Sequence, residues 1–416
     1  MKLPALIMVL AMVFLEWLDF SLYLYLAKAV FAAQFFPASS YSLMLTFALF
    51  AAAYLARPVG GWLFGREADL NGRRKPMVFS AALMGIATLG ICILPGYTQV
   101  GIIASWGLLA LRIAQGLALG GEANTSAMFL VEHFPRQPLF AGSMVAASGA
   151  LGMFMGGMLA AIIQSITAPW AWRVVFAVVG LVSLWVCRLR KQLRESPEFI
   201  REPLVVTPSF WHLHWRGLLN VAAAGAYVSV TVYLCNVFWL SFAIDKQLWS
   251  TVQCAWIASL AQCASALLAL PIAYFAKPSW NNRLLQTSML IIACSAPALF
   301  YYTAQQFIPG VLIALCAYVL TNALLCASLY YFLYQQLPPH YRCRGVSTVW
   351  AISATLGAIC LPIAQQAVSI SGAYWLPGLV VTLVALSTLI IIRFNQSHLL
   401  YISSRPPSTL SAANQS

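Results

Sequence analysis

Gly65-Arg66-Glu67-Ala68-Asp69-Leu70-Asn71-Gly72-Arg73-Arg74-Lys75 lies between two apolar runs, 41–63 and 76–95. Its glycines permit a tight turn. Its charges belong in water. Each flanking run is long enough to cross about 30 Å of hydrocarbon at about 1.5 Å per residue. The stretch therefore reads as a short charged loop between two membrane spans.

The same alternation extends in both directions. Further spans are expected at 5–31, 101–130, 140–166, 173–190, 216–242, 249–275, 284–303, 308–335, 345–370 and 374–393, giving twelve. Composition agrees: 62% of the 416 residues are hydrophobic and 8% are charged, against roughly 25% charged in a soluble domain. Lys2 and the apolar run after it resemble a secretory leader, with Ala27-Lys28-Ala29 as a mock cleavage site. The run is too long for one, and Glu16 and Asp19 interrupt it, so it is read as the first span.

The net charge of +13 does not point to nucleic acid, because the basic residues gather in loops on one side. That side holds Lys2, the Arg73 cluster, Arg136, the run Arg188 to Arg216, Lys277, Arg283, Arg342, Arg344, Arg393 and Arg405. The other side holds only Lys28, Arg173 and Lys246. By the positive-inside rule the basic side is cytoplasmic, and an even span count puts both termini there. The ten cysteines contain no Cys-x-x-Cys pair, so neither a disulfide framework nor a zinc site is expected, and most read as small packing residues.

The longest polar connection divides the chain. Residues 1–190 form an N-terminal six-helix bundle, 191–215 a cytoplasmic linker, 216–393 a C-terminal six-helix bundle, and 394–416 a cytoplasmic tail. The fold class is an all-α membrane protein of two six-helix bundles. The loops after spans 4 and 10 echo one another, His133-Phe134-Pro135-Arg136 against Leu337-Pro338-Pro339-His340-Tyr341-Arg342.

Charges inside spans are costly and mark functional sites. Glu16 and Asp19 share a face of span 1. In span 4, Arg112, Gln115 and Glu122 fall within about 80° of arc. Asp19 and Arg112 lie at similar depth, and pairing them lowers the cost of burying both. Glu122 has no evident local cation. Proton chemistry is expected at Asp19, Glu122 and Glu16, tuned by Arg112, because no span of the second half carries an acid. Candidate solute contacts are Arg112, Gln115, Tyr227, Thr231, Asn322 and Trp350. A membrane-embedded enzyme is not expected, since all five histidines lie in loops or near span ends, and no metal or cofactor site is read.

Gly-x-x-x-Asp-x-x-Gly-Arg-Arg at 65–74 resembles the signature loop of the major facilitator superfamily, and Arg112-x-x-Gln115-Gly116 is similar to its second motif. Glu16-Trp17-Leu18-Asp19-Phe20, Arg57-Pro58-Val59-Gly60-Gly61, the run Arg112 to Glu122, Trp172-Arg173 and Glu195-Ser196-Pro197 resemble the metabolite:proton symporter family within it. The second half matches less well: its copy of the signature loop is degraded to Lys277-Pro278-Ser279-Trp280-Asn281-Asn282-Arg283.

The resemblance implies the major facilitator fold and a monomer in a bacterial inner membrane. It implies import of a small polar metabolite, such as an organic acid, an amino acid or a betaine, with a proton. Its partners would be that small molecule, the proton and the lipid bilayer. Gly65, Asp69, Gly72, Arg73 and Arg74 become gating residues, and Asp69 is expected to meet the start of span 11 near Gly345 and Val346. An uncoupled facilitator, a proton-driven exporter and a non-transporting sensor are the alternatives. Span 5 carries Gly152-Met153-Phe154-Met155-Gly156-Gly157, without the proline of the exporters' motif, which favours symport.

Overall fold

The computed structural model describes residues 3–37, 42–166, 168–201 and 214–403. Most of the expected linker and tail, 202–213 and 404–416, lies outside the described residues. So do the topology charges Lys2 and Arg405.

Among the described residues, twelve long helices follow one another. They are α1 (Leu3–Leu26), α2 (Ser42–Asn71), α3 (Arg74–Ile93), α4 (Ile102–His133), α5 (Pro138–Ser165) and α6 (Ala171–Arg190), then α7 (Trp215–Val232), α8 (Thr251–Phe275), α9 (Asn281–Ala304), α10 (Ile308–Tyr334), α11 (Pro339–Ser371) and α12 (Leu376–Ser403). Ten helical segments among the described residues are long and apolar enough to cross a bilayer. With no water in hydrocarbon, a helix is the form that pairs every backbone group within its own segment.

The helix pairs repeat with an offset of six. In the first half α1 packs on α5, α2 on α4, and α3 on both α4 and α6; in the second α7 packs on α11, α8 on α10, and α9 on both α10 and α12. The halves meet along α2 with α11 and α5 with α8, again an offset pair. A further parallel lies in the opening helices. Each runs into a π-helical stretch at its C-terminal end, Ala27–Phe31 after α1 and Tyr233–Phe238 after α7. Such stretches are rare and cluster at functional sites.

Small residues let the backbones touch. A side chain on Gly116 or Gly120 of α4 would strike the backbone of Ala53 or Arg57 of α2, and one on Gly152 that of Phe14 of α1. Gly149, Gly152 and Gly156 of α5 thus pack on α1. Gly61 and Gly65 of α2 do the same against Ser347 and Arg344 of α11, on the other half.

The charged stretch at 65–75 is less of a loop than the sequence suggests. α2 continues helical to Asn71, and the chain turns only at Gly72, whose φ is +93°. Charges do not end a helix that has left the membrane, but a left-handed residue does. Gly65 is accordingly a point of close approach rather than a turn.

Candidate functional site

Four polar groups lie inside the first half, and one of them bears on its junction with the second. Near mid-depth, Arg112 donates from Nη1 to Gln115 Oε1 at 2.7 Å. Gln115 donates from Nε2 to Asp19 Oδ2 at 2.6 Å and to Thr88 Oγ1 at 3.0 Å, while Thr88 donates to Asp19 Oδ1 at 3.2 Å. Arg112 and Asp19 are therefore joined through Gln115, and no direct ion pair between them occurs among the described residues. The amide spaces the two charges. Guanidinium Nε and Nη2 of Arg112 keep no hydrogen-bond partner although the residue is buried. A cavity of about 10 Å³, the size of one water, lies against Phe20, Ala53, Met84, Arg112, Gln115 and Leu119.

A second group is Glu122. The expectation that it lacks a cation is corrected here: Arg190, at the end of α6, forms a fully buried ion pair with it. Ser80 and Ser126 donate to the same carboxylate at 2.5 and 2.7 Å. Arg190 also donates to the carbonyls of Met77 (3.1 Å) and Val9 (2.9 Å). A buried carboxylate satisfied by three donors is a strut between α3, α4 and α6. Arg190 reads in sequence as one more topology charge, because it follows Arg188 at the edge of a basic run.

A third group is unpaired. Glu16 is fully buried, and neither carboxylate oxygen has a hydrogen-bond partner. Arg57 of α2 lies within its electrostatic reach, as do Arg190, Glu122 and Asp19. Arg57 is a residue that the sequence reading left inside a motif. It sits within the expected span 41–63, so the rule that singled out Arg112 applies to it equally.

The fourth group sits at the basic end, where the halves lock. Asp69 accepts from the backbone N–H groups of Cys343 (3.0 Å) and Arg344 (2.9 Å), in the second turn of α11. The expected contact is present, two residues earlier than Gly345 and Val346. Burial pushes the Asp69 carboxyl up to about 6, against the lowering pull of Arg73 and the two N–H groups. Arg73 donates to Glu132 at 3.2 Å and to the Pro339 carbonyl at 2.8 Å. Arg342, from the other half, shares Glu132 at 2.9 Å and pairs with Glu198 of the linker at 2.7 Å. Glu195 accepts from the N–H groups of Arg73 and Arg74 at 2.8 and 3.2 Å, and Arg74 reaches the Leu193 carbonyl at 3.3 Å. Glu132, Glu195 and Glu198 were missed because each looks in sequence like an ordinary acid at a helix end.

The second-half candidates are occupied by packing. Tyr227 shares a hydrogen bond with Ser288 at 3.1 Å, and Asn322 donates to Gln262 at 3.2 Å. Thr231 is buried with its hydroxyl unpartnered. Trp350 is half-buried against Gly225. None of them reaches the Arg112 cluster through a hydrogen bond among the described residues.

The Major Facilitator Superfamily matches residues 9–349. The chain belongs to that superfamily. It is 35% identical over 250 residues to the alpha-ketoglutarate permease of Escherichia coli K12, covering 53% of this chain and 54% of that one. It is 32% identical to the proline/betaine transporter of Salmonella typhimurium over 55% of this chain and 50% of that one. It is 30% identical to the citrate-proton symporter of Klebsiella pneumoniae over 69% and 67%. The matched segment spans about half the length of the first two relatives. Among solved structures, the proton:xylose symporter XylE bound to 6-bromo-6-deoxy-D-glucose aligns over 94% of this chain and 96% of its own with a TM-score of 0.72 at 16% identity, a likeness of fold. The two-bundle architecture and the multi-pass membrane character follow.

Proposed function

We propose that this superfamily member is a secondary active transporter that imports a small polar metabolite with a proton by alternating access. Its termini face the cytoplasm of a bacterium, with the lock at the basic end as the inner gate. The carrying observation is that lock. One half holds the other by a carboxylate on two backbone N–H groups near the start of α11 and by a shared Glu132, and these are contacts that rocking of the bundles can break as a unit. Broken, they open the cytoplasmic side; formed, as here, they close it. The relatives, among them a citrate-proton symporter, support the coupling.

For the proton we favour Glu16, with Asp19 beside it, over Glu122. Glu122 already has three donors, whereas an ionised Glu16 has none. An unpaired buried ion costs several kcal/mol, and a bound proton removes that cost. Arg112 and Gln115 tune Asp19. Binding and release of the proton then bias two access states that differ in how well they tolerate the bare charge.

Proteoliposomes test this. Glu16→Gln is expected to abolish solute accumulation driven by a pH gradient while sparing exchange of labelled for unlabelled solute. Normal accumulation by both Glu16→Gln and Asp19→Asn would place coupling elsewhere. Exchange with no effect of a pH gradient on the unchanged chain would make it a facilitator.

A further inference from the structure

Arg57 is over nine-tenths buried, and no carboxylate pairs with it among the described residues. Three rings cage it instead: its guanidinium carbon lies 3.7 Å from the centroid of Tyr54, 4.6 Å from Phe20 and 5.9 Å from Trp17. Cation–π contacts partly offset the loss of water, but they do not use N–H donors. Nε and Nη2 of Arg57 have no partner. These two nitrogens form one edge of the guanidinium, the edge that grips a carboxylate in a bidentate fork. Glu16, buried in the same region, is equally without partners. Two opposite ions within mutual reach and both unpaired is a costly arrangement, and each is available to something else.

The surroundings hold Arg57 in place and connect it to the second half. Gly120 of α4 lets the Arg57 backbone approach closely. Pro58 has no N–H to give to the carbonyl of Tyr54 one turn earlier, and that carbonyl instead accepts from Thr355 Oγ1 of α11 at 3.2 Å. The Tyr54 hydroxyl accepts from that of Tyr233 at 2.6 Å. Tyr54 thus caps Arg57 with its ring and, through its polar atoms, touches α11 and the π-helical stretch after α7, both of the opposite bundle.

We propose that Arg57 takes hold of the transported solute by a carboxylate, through the Nε–Nη2 edge of its guanidinium, and that Tyr54 passes that event to the opposite bundle. The inference rests on the transport reading above and names the chemistry it leaves open. A carboxylate on Arg57 and a proton on Glu16 offset one another, so solute and proton enter the bundle without adding net charge. Arg112, with its own Nε–Nη2 edge unpartnered, lies 5.7 Å from the same Phe20 ring. The two guanidinium carbons are therefore no more than 10.3 Å apart, the sum of their distances to that ring, and a solute with two carboxylates could engage both.

Calorimetric titration of the full-length chain in lipid nanodiscs tests the proposal. The probes are 2-oxoglutarate, proline and glycine betaine, with dimethyl 2-oxoglutarate and prolinamide as carboxylate-free counterparts and xylose as a neutral solute. At least one carboxylate is expected to bind and its carboxylate-free counterpart not to. Preference for 2-oxoglutarate over proline marks the two-carboxylate solute. Arg57→Lys, which keeps the charge but not the fork, should weaken binding roughly 10- to 100-fold, the worth of a charge-assisted pair. Arg57→Ala should abolish binding, with partial recovery in added guanidinium. Tyr54→Phe should bind within a few-fold of the native chain yet exchange solute more slowly. Equal binding of a carboxylate-free counterpart, binding of xylose alone, binding of no probe, or native affinity in Arg57→Lys overturns the role of Arg57; the counterpart comparison needs no variant, so a misfolded substitution does not blunt it. Unchanged exchange in Tyr54→Phe overturns the relay. If labelled solute still exchanges in proteoliposomes while any of these results holds, transport stands and only the carboxylate site falls. If the unchanged chain exchanges none of the probes, both fall.

Discussion

The two halves share one packing plan and differ in what they bury. Among the described residues, the first half encloses Glu16, Asp19, Arg57, Asp69, Arg73, Arg112, Glu122, Glu132 and Arg190, while the second encloses Arg342 as its buried charge. The second half's other buried polar groups are neutral, and several pair with one another: Tyr227 with Ser288, Asn220 with Gln336 at 2.8 Å, and Trp239 with Thr303 at 3.0 Å. The difference teaches that a repeated helix plan does not oblige a repeated chemistry. One bundle holds charges that must be compensated and can therefore be switched. The other offers a largely neutral wall beside it.

That contrast makes the first half the fragile one. Arg190→Leu leaves the Glu122 carboxylate buried beside two hydroxyls, and thermal unfolding of purified protein should show a loss of about 3–5 kcal/mol, the usual penalty for orphaning a buried ion. Adding Glu122→Gln should recover much of it. Tyr227→Phe in the second half, which removes one neutral hydrogen bond, should lose only about 0.5–1.5 kcal/mol. Comparable losses for Arg190→Leu and Tyr227→Phe would erase the distinction between the bundles.

The lock is where the halves trade charge for backbone donors. Asp69→Ala strips both acceptors from the second turn of α11 and should destabilise the closed state by about 1.5–3 kcal/mol, the worth of a hydrogen bond to a charged group. Cys343 reports this directly: it is buried, and its own N–H is one of the two donors. Maleimide labelling of Cys343, read by peptide mass spectrometry, should accelerate markedly in Asp69→Ala and little in Tyr227→Phe. An unchanged rate, with unchanged exchange, would reject the gate.

The smallest expected effect is of pH on the same contact. The Asp69 carboxyl is pushed up to about 6 in the closed state, above the roughly 3.9 of an exposed aspartate. The closed state therefore binds the proton more tightly. Lowering pH from 7 to 5 should favour closure and slow Cys343 modification, after correction for the thiol's own ionisation with a pH-matched unfolded control. Asp69→Asn, which cannot titrate, should lose this dependence.

Much of the fold was legible because membrane solvent imposes it locally. Apolar runs of sufficient length, loops rich in Lys and Arg, and Gly72 with its turn are properties of short stretches, and hydrocarbon leaves a chain few alternatives to helices. The Arg112–Gln115 bond was legible too, since residues three apart on a helix are neighbours. Partnership across helices was not. Nothing near Glu122 in the chain announces Arg190, 68 residues away, and nothing near Asp19 says that Gln115 rather than Arg112 will touch it. The sequence by itself determined that Glu16, Asp19, Arg57, Arg112 and Glu122 would be buried in a membrane-spanning bundle, because the runs around them admit no other place. Only the tertiary structure decided which of those charges are satisfied and which are left open. Compensation of a buried charge depends on distances of a few ångströms between helices, and those are set by where glycines let backbones meet.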